Sequence, residues 1–359
     1  MFVPLQTVPV IGMELESFLV LALTALAGGA FGAALGALPS FVFTGFVVFL
    51  GEGIAILERE LGGLDVIPKG ELAAGITGVI GFGAITGPHI AFAGGVAASA
   101  YVGKKYPEMN PKGWDYHLGK NITEAYGTKP DILAVGAIFG LLGMLIARVS
   151  GGLGLPTDGI ALSVFLTAVI ARVVFGYPIL GKPAGKGYFD MGPFEREEPR
   201  DQPEDVPDGN AGRLAVEPWL PHQYKWLNVA VIGVVGGILG GYIWLQTESI
   251  FLGYAISAMS LLFLNLGVAK IPVTHHITLL GSVGAVLAMP MFGSPFVALV
   301  MAGAFGALTG VVGEASQRVF YSHSGTHVDP PAMAIAAMML VVGVLYIVGV
   351  LPNAGYLGL

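Results

Sequence analysis

ELAAGITGVIGFGAITGPHIAFAGGVAASAYVGKK, residues 71–105, decides how this chain is folded. A membrane-spanning helix needs about 20 mostly apolar residues. The stretch is too long for one such span, and Gly87-Pro88 breaks it near the middle. Proline removes a backbone donor and clashes with the preceding turn, and glycine loosens the chain around it. The stretch therefore reads as two short helical pieces joined at a bend. A second run of the same kind, HHITLLGSVGAVLAMPMFGSPFVALVMAGAFGALTGVVGEASQR, covers residues 275–318 and is broken by Met289-Pro290 and by Gly293-Ser294-Pro295.

The rest of the chain supplies the solvent for these bends. Of 359 residues, 54% are hydrophobic and only 11% charged, and the mean hydropathy is +0.76. A soluble domain carries roughly 25% charged residues, so the polar surface is too small to cover a water-soluble globule. The 55 glycines suit helices that pack backbone to backbone in lipid, and they also allow a homo-oligomer through Gly-rich faces. A net charge of −7 excludes the basic face that nucleic acid requires. The absence of cysteine excludes disulfides and thiolate-held metals. The first fifteen residues lack Lys and Arg and contain Glu14, unlike the basic start of a cleaved signal peptide.

Single spans are expected near 15–37, 40–58, 130–149, 157–176, 228–246, 249–269 and 331–351. Together with the two broken stretches they give an all-α polytopic membrane protein of about 9–11 membrane segments. Lys and Arg favour the cytoplasmic side in short loops. If each broken stretch returns to the face it entered, as a re-entrant hairpin or as two short crossings, every basic residue except Arg148 shares one face. That arrangement places the N-terminus inside and the C-terminus outside. Residues 177–227 are rich in Pro, Gly and mixed charge and read as a cytoplasmic linker without a core of its own. The linker ends in PWLPHQYKW, whose Trp219, Tyr224 and Trp226 suit the headgroup layer.

The linker separates two similar halves, residues 1–176 and 228–359. AGGAFGAALG at 27–36 resembles VGGILGGYIW at 235–244, and VVFLGEG at 47–53 resembles LLFLNLG at 261–267. GTKPDILAVGAIFGLLGMLI at 127–146 pairs with GTHVDPPAMAIAAMMLVVGVLYI at 325–347. In this alignment the halves are parallel repeats, each with one broken hairpin, and the span near 157–176 has no counterpart.

The segment HSGTHVDPP, residues 323–331, contains His-x-Gly-Thr-His-x-Asp. It resembles the metal-binding motif of the cyclase-like metal-dependent hydrolases of the kynurenine formamidase type, which would imply a metal held by His323, His327 and Asp329. That family has a further histidine in the segment, where this chain has Met333. The halves share Gly-Thr and Asp here but not the histidines, which points to helix entry, with Asp329 capping free N–H groups and Pro in the first turn. On that reading the segment holds no metal.

Discontinuous helices at matching positions in two repeats mark solute sites, because their unpaired backbone groups can serve solute or ion. Thr86, Gly87, Pro88 and His89 in one half, with Gly293, Ser294 and Pro295 in the other, are therefore expected to face a shared cavity. Glu52, between two glycines inside its span, is the strongest intramembrane carboxylate, and Asn265 lies at the matching place in the second half. No phosphate loop, dinucleotide fingerprint or His-Glu-x-x-His pair is present. The expectation is a secondary transporter or facilitator for a small solute or ion, without a cofactor and not an enzyme. The alternative is a non-transporting membrane subunit that assembles partners.

Overall fold

A computed structural model describes residues 7–60, 75–200 and 213–359. Lys69, the residues up to Ala74 and part of the central segment lie outside these ranges. The described residues are all-helical, with two isolated bridges and no strand. Helix α1 (Leu15–Leu35) turns at once into α2 (Ala37–Glu60). The corner is Gly36, whose φ of 93° is open to a residue without a Cβ. A π-helical segment Gly75–Gly81, a turn, and a π-helical turn Pro88–Phe92 lead into α3 (Ala93–Lys105). Helices α4 (Pro130–Gly152) and α5 (Gly159–Val174) follow, then the four-residue α6 (Gly192–Glu195). The second half contains α7 (Trp226–Thr247), α8 (Leu252–Asn265), α9 (His275–Phe292), α10 (Pro295–Phe320) and α11 (Pro330–Ile347).

Seven of these helices are long and apolar enough to cross a membrane: α1, α2, α4, α7, α9, α10 and α11. Helices α5 and α8 are apolar but shorter. Large side chains such as Leu23, Leu227, Phe263 and Phe296 face outward, more than half exposed, as suits a lipid-facing exterior. The polar face of a soluble helix is missing from this surface.

The two broken stretches take different paths. Gly51 lies against Thr77, Gly81 against Val48, and Gly95 against Ala37. Phe41 meets Phe92 at 5.9 Å between ring centroids. Positions rise along one segment as they fall along the other, so Gly75–Lys105 travels one way along the whole of α2. This corrects the expectation that the stretch returns to the face it entered. A turn at 82–87 interrupts the helix without reversing it, because Gly87 is extended at ψ 132° and Pro88 restarts the helix from its first position. The second stretch does reverse. Gly293 takes a left-handed φ of 61°, the Ser294 hydroxyl accepts from Val297 N, and Pro295 opens α10. α9 and α10 then pack antiparallel, with Gly284 against Phe305 and Gly313 against His276. Met289-Pro290 does not end α9, because Pro290 sits in its last turn.

Helices α1, α3 and α4 meet at glycines: a Cβ on Gly94 would strike the Gly29 backbone, and one on Gly140 would lie 2.6 Å from Gly29 Cα. α7, α9 and α10 meet in the same way, a Cβ on Gly281 striking Gly237 and one on Gly306 lying 2.6 Å from Gly237 Cα. Between these two clusters, α2 packs on α8 and α5 packs on α11. The main core fills the centre: Phe41, Val164, Tyr254, Leu279, Ile335 and Met339 are all buried there.

Described parts of the central segment are docked to the bundle rather than free of it. Met191, Val216 and Tyr224 form a small apolar cluster. The Trp219 N–H donates to the Gln317 side chain, and Gln223 pairs with the backbone of Val273. The sequence reading, a linker with no core of its own, missed this because its polar residues bond to the bundle instead of to water.

Candidate functional site: a central cavity between two capped aspartates

A cavity of about 500 Å³ lies between the halves. Its walls come from α2, the Pro88 turn, α5, α8, α9, α11 and the tail at 356–359. Most of the lining is apolar or aromatic, with Phe41, Phe82, Phe92, Trp219, Phe251 and Tyr254 among it. The polar members are Thr157, Asp158, His275, Asp329 and Tyr356.

The aspartates occupy matching positions. Asp158 caps α5, its Oδ1 accepting from Ala161 N at 2.8 Å, and Asp329 caps α11, its Oδ2 accepting from Ala332 N at 2.8 Å. The second oxygens take Tyr356 Oη at 2.8 Å and His327 Nε2 at 3.2 Å. α5 has 16 residues and α11 has 18. Asp158 and Asp329, which open them, both line the cavity. Both helices therefore begin inside the protein, with their positive dipole ends and capping carboxylates turned toward the centre. Thr157 Oγ1 donates to Ala336 O at 2.7 Å and ties the start of α5 to the middle of α11.

Pro88 lines the cavity. Thr86 beside it is buried, its hydroxyl donating to Ile80 O and Gly81 O while its carbonyl accepts from Thr44. Gly87 completes the turn, and His89 is buried against Gly143 of α4, away from the cavity lining. Gly293 and Pro295 are exposed at the far turn of the α9–α10 hairpin, with Ser294 between them. The two bends are not brought together. Glu52 accepts hydroxyl bonds from Thr77 at 3.0 Å and Ser249 at 2.6 Å, joining α2, the π-helical segment and the start of α8. Asn265 ends α8 at its opposite end from Ser249. The sequence reading missed the pairing of Asp158 with Asp329. The available signal was an Asp opening a short apolar helix in each half, D-G-I-A and D-P-P-A.

One end of the bundle carries a buried polar cap. Arg172, 0% exposed, donates to Thr326 Oγ1, Ser324 Oγ and the carbonyls of Ile179, Phe320 and Thr326. Glu217 sits between Lys120, at 2.6 Å, and Arg213, at 2.7 Å. Burial pushes the Lys120 ammonium down to about 7, with Glu217 opposing the shift. Glu217 is itself buried, yet Lys120 and Arg213 hold its carboxyl below the ordinary range. His323 is turned to the central segment, with Nε2 3.1 Å from Tyr188 O and Nδ1 accepting from Ala184 N. Burial lowers its pKa to about 4. No group of three or more metal-ligating side chains forms among the described residues. The ligand set implied by the H-x-G-T-H-x-D spacing is therefore not assembled. His323 bonds to the central segment, while His327 bonds to Asp329, which caps the start of α11.

These features define an all-helical protein with the helices of a multi-pass membrane protein and an aromatic cavity at its centre. The chain belongs to DUF7973, a family of unknown function, which it matches over residues 10–359. No curated protein and no solved structure matches it.

Proposed function

We propose that this protein is a secondary transporter or facilitator for a small solute, acting by moving it rather than by changing it chemically. The observation that carries this reading is the central cavity, walled by both halves and entered by the capped starts of α5 and α11. Helices that begin part-way through the bilayer, around a shared cavity, are the usual architecture of solute sites in such carriers.

Contacts support a revised repeat. Gly29 with Gly94 and Gly140 corresponds to Gly237 with Gly281 and Gly306, and Asp158 corresponds to Asp329. This pairs α1–α5 with α7–α11, five elements each. Alternating passes in an odd-numbered unit make the second unit enter from the opposite side, so the repeats are inverted rather than parallel. Among the described basic residues, only Arg59 and Arg148 lie at the end where α1 begins. Lys104, Lys129, Lys225, Lys270 and the rest lie at the other end, which the positive-inside preference makes cytoplasmic. The start of α1 and the end of α11 then both face outward, so the N-terminal side is reversed from the sequence reading.

Because the chain has no cysteine, a single introduced thiol tests alternating access without knowledge of the solute. Ile335→Cys places one on the cavity wall. In a carrier, a membrane-impermeant methanethiosulfonate reagent reaches it in right-side-out and in inverted vesicles. Labelling from one face only, or from neither, refutes transport.

A further inference from the structure

The chemistry of the cavity wall goes further than the presence of a cavity, and the inference drawn from it rests on the proposed transport reading for its purpose. The lining contains two carboxylates and no Lys or Arg among the described residues. Asp329 accepts from a cap N–H and an imidazole, and Asp158 from the backbone of Ala161 and Ile160 and from a phenol. A carboxylate offers about four acceptor positions, so both Asp158 and Asp329 keep capacity for another donor.

A second observation is independent of these helix starts. His275 lines the cavity and is 6% exposed. Its ring makes no hydrogen bond among the described residues, and its Nδ1 is closed off by the side chains around it. Buried polar side chains are nearly always paired, so an imidazole that lines an open space and makes no hydrogen bond among the described residues points to a ligand. The ring is held against Phe41 at 4.7 Å and Tyr254 at 5.7 Å between centroids, so it is fixed rather than free to turn toward water. Aromatic faces attract cations through their quadrupole, and the apolar remainder of the wall excludes a fully hydrated ion.

We propose that the cavity binds a small organic ammonium ion with an apolar or aromatic body, the ammonium in the field of Asp158 and Asp329 with an N–H toward His275, and the body against Phe41, Phe251 and Tyr254. A volume of about 500 Å³ takes a molecule of drug-like size or smaller. A carboxylate-bearing solute does not fit this wall, because it adds a negative charge beside two buried carboxylates, and a neutral solute leaves their charge uncompensated in a dry setting.

Equilibrium dialysis of the purified full chain with three probes of similar shape tests the assignment: phenethylammonium, 2-phenylethanol and 3-phenylpropionate. The ammonium binds most tightly, by about tenfold or more over the alcohol, with the carboxylate weakest. Asp329→Asn and Asp158→Asn keep the cap, since Asn caps as well as Asp, and each lowers ammonium affinity about tenfold while leaving the alcohol unchanged. Phe251→Leu, which leaves both capping carboxylates in place, weakens the ammonium through loss of its aromatic face and gives a second route if an Asn variant fails to fold. Equal binding of the three probes, or Asn and Leu variants that bind phenethylammonium like the parent, overturns the inference. If Ile335→Cys is labelled from both faces while the ammonium shows no preference, the ligand class falls and transport stands. Selective ammonium binding with one-sided labelling keeps the ligand class and removes transport.

Discussion

Glu217→Gln isolates the energetics of the polar cap. Glu217 and Lys120 are 0% exposed and Arg213 is 3% exposed. The carboxylate accepts from Lys120 Nζ at 2.6 Å, and from Arg213 Nε and Nη2 at 2.7 Å each. The amide keeps the shape and one acceptor oxygen but removes the only negative charge among these three groups. Arg213 is then left buried without a counter-charge, and Lys120 loses the group that helps it keep its proton. Removing one partner of a buried ion pair costs about 3–5 kcal/mol. At roughly 2 °C per kcal/mol for a chain of this length, the melting temperature in detergent falls by roughly 6–10 °C. Lys120→Met costs less, because it relieves the burial of an ammonium, keeps a similar volume and leaves Glu217 with both Arg213 bonds. Melting followed by intrinsic fluorescence ranks the variants. A Glu217→Gln protein that melts within roughly 1 °C of the parent, or a Lys120→Met protein that is the less stable of the two, refutes the reasoning.

The same lysine gives a pH dependence of known sign. Its folded value is about 7 against an ordinary 10.5, so between those values the unfolded chain holds a proton that the folded one has released. Stability therefore rises with pH in that window, and the parent gains on Lys120→Met between pH 7 and 9; a parallel pair of melting curves contradicts it. Arg172→Lys replaces five hydrogen bonds from a rigid fork with at most three from an ammonium. It should lower stability by about 3 kcal/mol or more through unpaired carbonyls, and a shift of under roughly 2 °C in melting would be evidence against that network. Gly281→Val forces α9 away from the Gly237 backbone, whereas Gly53→Ala meets nothing within 4 Å. Size-exclusion profiles should show the first variant aggregated and the second monodisperse, and two matching monodisperse profiles would remove the close-packing argument.

Several features were legible before the fold. Composition required lipid-facing helices, and α1, α2, α4 and α7 lie close to the expected spans because a long apolar run between polar ends has one stable solution in a bilayer. Gly87-Pro88 and Gly293-Ser294-Pro295 were correctly marked as interruptions. Their consequences differ for a reason outside the motifs. Pro88 restarts a helix that still lies along α2, while left-handed Gly293 reverses the chain. Glu52 was singled out as an intramembrane carboxylate, and it is found bonded to two hydroxyls across three elements. The motif around Asp329 pointed to a helix cap alone.

The sequence by itself determined that the chain consists of apolar helices, where they break, and that glycines allow close contact, because each follows from local composition and backbone sterics. Only the tertiary structure decided which glycine meets which backbone, Gly94 against Gly29 and Gly281 against Gly237. It also decided that two aspartates far apart in the chain face one cavity. Repeat pairing and site assembly depend on contacts between distant segments, and in a chain of many similar Gly-Ala-Val-Leu helices several registers look alike until packing selects one.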